Sequence, residues 1–239
     1  MKNFLIKKMQ QIDRLDASIL FITIIALILF LIAGFVSVEF YKLNNILTIL
    51  RLSTFFIVVG LGQGFVILTG GIDLSVPWGM TTAGILLTTL SMGNNETLIW
   101  VVPLVLLSGA LIGFINGIGI AYLSIAPLIM TLATNVIIRG IILVAVNGTP
   151  RGMTPTLITY MMSGDMFKGI SPIFIIVTIL VLLSIVILTR TTYGRRIYAI
   201  GNSSQAAYLS GINVNIHLIS VYVISGFLSA LGGIMLTGY

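Results

Sequence analysis

Few residues of this chain are equipped for chemistry, and most of them lie in or beside long apolar runs. Asp73 is the one carboxylate next to such a run apart from loop charges, in the string Gly70-Gly71-Ile72-Asp73-Leu74-Ser75. Just ahead of Ser75 and Pro77, it is placed to cap the start of a helix, accepting from free backbone N–H groups and favoured by the helix dipole. Capping is preferred here over contact with a solute. Thr131, Asn135 and Arg139 recur at every fourth position, so they share one helix face, with Thr134 beside them. That face is expected to point into a helical bundle. Arg139 either lines a polar path or runs its stem outward to water, two readings of equal standing. Gln63 and Asn116 are mid-run amides suited to touching a polar solute or to joining helices, and for each alone joining is the simpler account.

Several chemistries are excluded. The single histidine, His217, opens the last apolar run, and no nucleophile has an identifiable base. There is no cysteine, and the six carboxylates are scattered, so no metal-ligand cluster and no cofactor is implied. No G-x-x-x-x-G-K-[ST] phosphate loop occurs, so the chain does not draw on ATP by itself. An enzyme working inside the membrane is thereby disfavoured. A passive pathway, a carrier driven by an ion gradient, and the membrane half of a pump with a separate motor remain. The carrier needs a buried ion site, for which Asp73 is the sole candidate.

The elements that hold these residues are set by hydropathy. Hydrophobic residues make up 58% of the 239-residue chain and charged residues 8%, with mean hydropathy +1.16, far from what a wet surface needs. The expected fold is all-α, a polytopic transmembrane bundle of about seven spans: 17–37, 46–69, 76–90, 98–123, 126–146, 172–189 and 216–237. The third is short, and Gly70–Ser75 before it reads either as a cytoplasmic turn or as a break within the bilayer. Gly109, Gly113 and Gly117 on the fourth span, and Ser225, Ser229 and Gly233 on the seventh, form small-residue stripes that permit close packing. Two domains are expected, a cytoplasmic N-terminal segment 1–16 and a membrane domain 17–239. The net charge of +6 comes from residues at the ends of apolar runs, not from a patch interleaved with aromatics, so it speaks for membrane orientation and against nucleic acid. Lys2, Lys7, Lys8, Arg14, Arg190, Arg195 and Arg196 fall on one side, Lys42, Arg151 and Lys168 on the other, which places the N-terminus in the cytoplasm.

The segment 190–215 is the long polar stretch that stands out. It carries three arginines and no acidic residue between two apolar spans. Within it, Gln205, Ala206 and Ala207 precede Gly211 by a short interval. Small residues at that spacing bring a short helix close to a partner surface, and the glycine ends it, which is the build of a docking knob.

Three ordered blocks resemble the ribose-type monosaccharide ABC importer permeases: Gly64 to Val76 with its GGIDLS core; Asn116-Gly117 with Ala126 to Leu132 and Arg139-Gly140; and Thr192 to Val214, continued by Tyr222 to Gly233. The resemblance implies a permease subunit in a bacterial plasma membrane, importing a ribose-like monosaccharide. Another small solute such as a branched-chain amino acid is the alternative. It further implies a second permease copy or a sister permease, a cytoplasmic sugar-type ABC ATPase and an extracytoplasmic sugar-binding protein. In such permeases the Ala-Ala-x-x-x-Gly loop couples to the ATPase, which here falls on Gln205, Ala206, Ala207 and Gly211. Gln205 stands where many importers carry Glu. Residues lining the translocation path are expected among Gln63, Asp73, Ser75, Asn116, Thr131, Asn135 and Arg139. Such permeases continue beyond a seventh span, so the chain is expected to be a C-terminally truncated form.

Overall fold

Ten α-helices account for the regular structure of the computed structural model, which describes residues 2–166 and 171–239. They are α1 (Lys2–Val36), α2 (Leu43–Leu68), α3 (Val76–Ser91), α4 (Leu98–Ala121), α5 (Pro127–Ala145), α6 (Thr156–Ser163), α7 (Ile173–Arg190), α8 (Thr192–Asn202), α9 (Ser204–Leu209) and α10 (Val214–Thr237), with a 3-10 turn at Val38–Tyr41. No strand occurs among the described residues. Lys168 lies outside them.

The chain divides into two compact units, residues 1–49 and 50–239. In the first, α1 is continuous through the point where the sequence separates a polar N-terminal segment from a span. From Ile19 onward its large side chains are exposed on every side, the mark of a helix immersed in hydrocarbon. The turn after it is tied by the Tyr41 hydroxyl donating to the Leu31 carbonyl at 3.0 Å and by the Lys42–Glu39 ion pair.

The second unit is built around α10. Its three apolar clusters all draw on this helix: Ala230 and Ile234 with α3, α4 and α6; Leu228 and Met235 with α2, α6 and α7; Val221 and Tyr222 with α2, α4 and α8. The small-residue stripe of α4 is what lets the two helices close. A Cβ on Gly113 would run into the Tyr222 carbonyl, and one on Gly117 would sit 2.7 Å from Ile219 Cα. Facing them on α10 is the row Ile219, Tyr222 and Gly226, whereas Ser229 and Gly233 turn toward Gly79 and Ala83 of α3. Hydrophobic driving force between helices vanishes in lipid, so this backbone proximity and the dispersion contacts it allows hold the bundle.

Among the described residues, six helices are long and apolar enough to cross a membrane: α1 from Ile19, α2, α4, α5, α7 and α10. The expected count of about seven includes α3, which has only 16 residues, about 24 Å. It nevertheless reaches the far end of the bundle from a recessed start. Its C-terminal end meets the segment before α6, where Thr89 donates to the Arg151 carbonyl, and in the loop that follows α3 Asn95 donates to Thr156 Oγ1 at the start of α6. Its N-terminal end lies at the depth of Asn116, five residues inside α4, or about 8 Å. The Gly70–Ser75 element is therefore a turn recessed among the helices, and a helix that starts below the end of the bundle needs fewer residues to reach the other side.

At the end of the bundle where α2 and α4 finish, the polar 190–215 stretch forms a helical hairpin. Thr191 and Ser203 cap α8 and α9, accepting from Gly194 N and Ala206 N. Helix α8 is amphipathic, with Gly194, Ile197 and Ile200 buried and Arg195, Arg196 and Tyr198 outward.

Candidate functional site

Asp73 is 3% exposed and is the centre of a buried polar network. One carboxyl oxygen accepts from Ser75 N at 3.0 Å and Ser75 Oγ at 2.6 Å. The other accepts from Ser225 Oγ of α10 at 2.7 Å. Asn116 Nδ2 of α4 in turn donates to Ser75 Oγ at 2.9 Å. From α5, Thr131 Oγ1 accepts from Leu74 N at 3.0 Å and lies 3.3 Å from the Ile72 carbonyl and 2.9 Å from that of Pro127. A turn with few regular backbone bonds thus has its polar groups satisfied by side chains of three helices, as burial in an apolar bundle demands.

The expected cap on α3 takes a different form. The residue that precedes the helix is Ser75, whose side chain makes no capping bond to it. Asp73 bonds the Ser75 N–H, one residue short of the helix, because Asp readily closes a local loop onto the residue two ahead. Its second oxygen is spent on α10.

The face carrying Thr131, Asn135 and Arg139 packs along α3 and the turn before it. Arg139 places its guanidinium 5.7 Å from the ring centroid of Trp78, a cation–π contact in the first turn of α3, as a helical side chain leaning toward its own N-terminus will do. Asn135 lies between these two anchors. Its Oδ1 is buried without a hydrogen-bond partner, as are Gln63 Oε1, Asn116 Oδ1 and Tyr222 Oη. Asp73, Ser75, Asn116 and Thr131 are thus brought together, Asn135 and Arg139 adjoin them through α3, and Gln63 contacts none of them through a described hydrogen bond. Ser225, Tyr222 and Trp78 are the members that sequence reasoning did not single out for this role. Ser225 was visible only as a small residue in a packing stripe.

The hairpin joins this site from one side. A Cβ on Gly201 of α8 would strike the Leu68 carbonyl at the end of α2, immediately before the Gly70–Ser75 turn. Tyr193 of α8 stacks on His217 of α10 with ring centroids 5.7 Å apart, and its hydroxyl is 2.6 Å from Ser220 Oγ. Burial pushes the Tyr193 phenol above its ordinary range, an effect the Ser220 hydrogen bond offsets only in part. Within α9, Gln205 and Ala206 face outward, while Ala207 is 3% exposed and packs inward. The outward surface is completed by Tyr208 at 72% and Leu209 at 79% exposure. Gly211 follows with φ +79°, a left-handed conformation suited to glycine, and nothing near the position a Cβ would occupy.

A family model described as branched-chain amino acid transport system / permease component matches residues 45–239. The chain belongs to this permease family. Among similar curated proteins, the ribose import permease protein of Haemophilus influenzae is 36% identical over 220 residues, covering 88% of this chain and 66% of that protein. The D-allose transport system permease protein of Escherichia coli is 34% identical, covering 86% and 63%. The galactose/methyl galactoside import permease protein of Escherichia coli is 32% identical, covering 91% and 70%. The chain thus spans just under two thirds of the length of the ribose and allose relatives. No solved structure matches it.

Proposed function

We propose that this chain is a permease subunit of an ATP-driven importer in a bacterial plasma membrane, carrying a ribose-like monosaccharide into the cytoplasm. Its similarity to permeases named for ribose, allose and galactose supports the solute class. The observation that carries the mechanism is the α8–α9 hairpin. At the end of a bundle of membrane-spanning helices it exposes Tyr208 and Leu209, apolar groups suited to a partner's groove. The partners are a cytoplasmic sugar-type ABC ATPase seated on Gln205, Ala206 and Gly211, a second permease copy, and an extracytoplasmic sugar-binding protein. The N-terminus is then cytoplasmic.

ATP binding closes the ATPase domains and moves α9. Contact of α8 with the end of α2, and of Tyr193 with α10, passes the motion to the Gly70–Ser75 turn, and the Ser225–Asp73 bond makes α3 follow α10. The helices rock and the cavity changes side. Asp73, Ser75, Asn116 and Thr131 fix the position of α3. The solute path draws its polar contacts from Gln63, Asn135 and Arg139, two of which bring buried amide oxygens without partners.

The test is co-purification with the co-expressed ATPase. Because Ala207 faces inward, a charge there would unfold the hairpin, so the informative variants are Tyr208→Ala and Leu209→Ala. Each should lose the ATPase while the chain's own thermal unfolding stays unchanged; full retention by both would refute the docking reading. The family description names one further solute, a branched-chain amino acid, which the similarity to sugar permeases does not favour. Uptake by proteoliposomes holding the assembled complex, with ribose and leucine supplied in turn, separates the two.

A further inference from the structure

We infer that the junction of α7 and α8 is a seat for anionic phospholipid, with Arg190, Arg195 and Arg196 as ligands for its phosphate. On α7 the side chains of Ile175, Ile179, Leu182 and Val186 are exposed in a single stripe, the face a span turns to hydrocarbon. Arg190 continues that stripe one turn further, in the last turn of the helix, where hydrocarbon gives way to headgroups. The chain then folds into α8, which buries Gly194, Ile197 and Ile200 and leaves Arg195, Arg196 and the half-exposed Tyr198 outside. Cations and a tyrosine outside an apolar face are the composition of a helix lying at a membrane surface. The segment 190–215 contains no acidic residue, and none of the three guanidinium groups has a carboxylate partner among the described residues. The charge is therefore available to an external anion. Continuity of Arg190 with the lipid-facing stripe selects a lipid headgroup over a protein acid as that anion, and guanidinium forks match its phosphate oxygens. Anionic lipid bound there would hold α8 against the ends of α7 and α2, and so set the resting position of the hairpin.

The seat rests on the chain being a membrane protein and not on the importer reading. Its test therefore uses the full chain alone, purified in a neutral detergent. Phosphatidylglycerol, phosphatidylcholine and inorganic phosphate are titrated separately, and retained lipid is counted by native mass spectrometry. Phosphatidylglycerol should be retained in preference to phosphatidylcholine, and millimolar inorganic phosphate should not displace it. Arg195→Gln and Arg196→Gln should each weaken retention about 5-fold, and together about 25-fold, with a weaker effect at high salt. The double Arg→Lys variant, which keeps the charge but not the fork, should restore only part of it, and Arg151→Gln at the far end should change nothing. Equal retention of the two lipids, displacement by free phosphate, or undiminished retention by the double glutamine variant would overturn the inference.

Discussion

Replacing Ser225 by alanine isolates the bond on which the Gly70–Ser75 turn depends. Ser225 is 1% exposed and its hydroxyl is the donor to one oxygen of Asp73, itself buried. The substitution removes a single oxygen, so the cavity is small and the cost comes from leaving a buried acceptor with one partner fewer. A loss of about 2 kcal/mol is expected, within the range for an orphaned buried polar group. The control stands one turn along the same helix. Ser229 is equally buried, but its hydroxyl has no hydrogen-bond partner, so Ser229→Ala should be close to neutral. The assay is equilibrium unfolding in mixed micelles at increasing dodecyl sulfate, followed by tryptophan fluorescence, to which Trp78 in the first turn of α3 contributes. Asp73→Ala, Ser225→Ala and the double variant then form a cycle whose coupling should be about 1–2 kcal/mol, as for directly bonded groups. Equal losses for Ser225→Ala and Ser229→Ala, or additive losses around the cycle, would refute the reasoning.

Helix packing offers a second contrast. Gly113→Ala puts a methyl into the Tyr222 carbonyl and should cost several kcal/mol or prevent folding, whereas Gly140→Ala has open space and should stabilise by about 1 kcal/mol, both read by the same unfolding assay. Gly211→Ala meets no neighbouring atom, so its cost is the left-handed backbone alone, about 1 kcal/mol, and Gly211→Asn should cost less; limited proteolysis of the hairpin reports both. Tyr193 has a phenol pKa raised by burial, so the folded state favours its neutral form. Its contribution to stability is complete below the ordinary phenol range near pH 10 and is lost as the pH rises beyond it. Tyr193→Phe should abolish that alkaline loss while lowering stability at pH 7 by about 1 kcal/mol through the missing bond to Ser220.

Hydropathy located the spans within a few residues, because each is a long apolar run closed by glycine, proline or charge. The four-residue spacing of Thr131, Asn135 and Arg139 likewise identified a shared face, since helical periodicity is a local property. The object of that face was not local. Nothing in spacing says that Arg139 meets Trp78, or that Thr131 serves the backbone at Leu74. Asp73 illustrates the limit most clearly. Its bond to the Ser75 N–H is a two-residue event that the string itself suggests, but its bond to Ser225 spans 152 positions and follows from how α3 packs on α10. The knob at Gln205 to Gly211 was legible as a short helix ended by glycine. That Ala207 turns inward while Leu209 turns outward depends on how α9 rests on α8 and α10.

The distance in sequence between Asp73 and Ser225 sets a schedule for biogenesis. Ribosomes elongate at about 5–20 residues per second, so roughly 8–30 s separate the emergence of the acid from that of its partner. Throughout that interval α3 is too short to settle in the bilayer as an independent span, and its turn gains Asn116 and then Thr131 while still lacking Ser225. The insertion machinery must therefore shelter α2 and α3 until α4, α5 and finally α10 arrive. A nascent chain stalled before α10 presents a carboxyl with one oxygen unpartnered, which a membrane protease can read as unfinished.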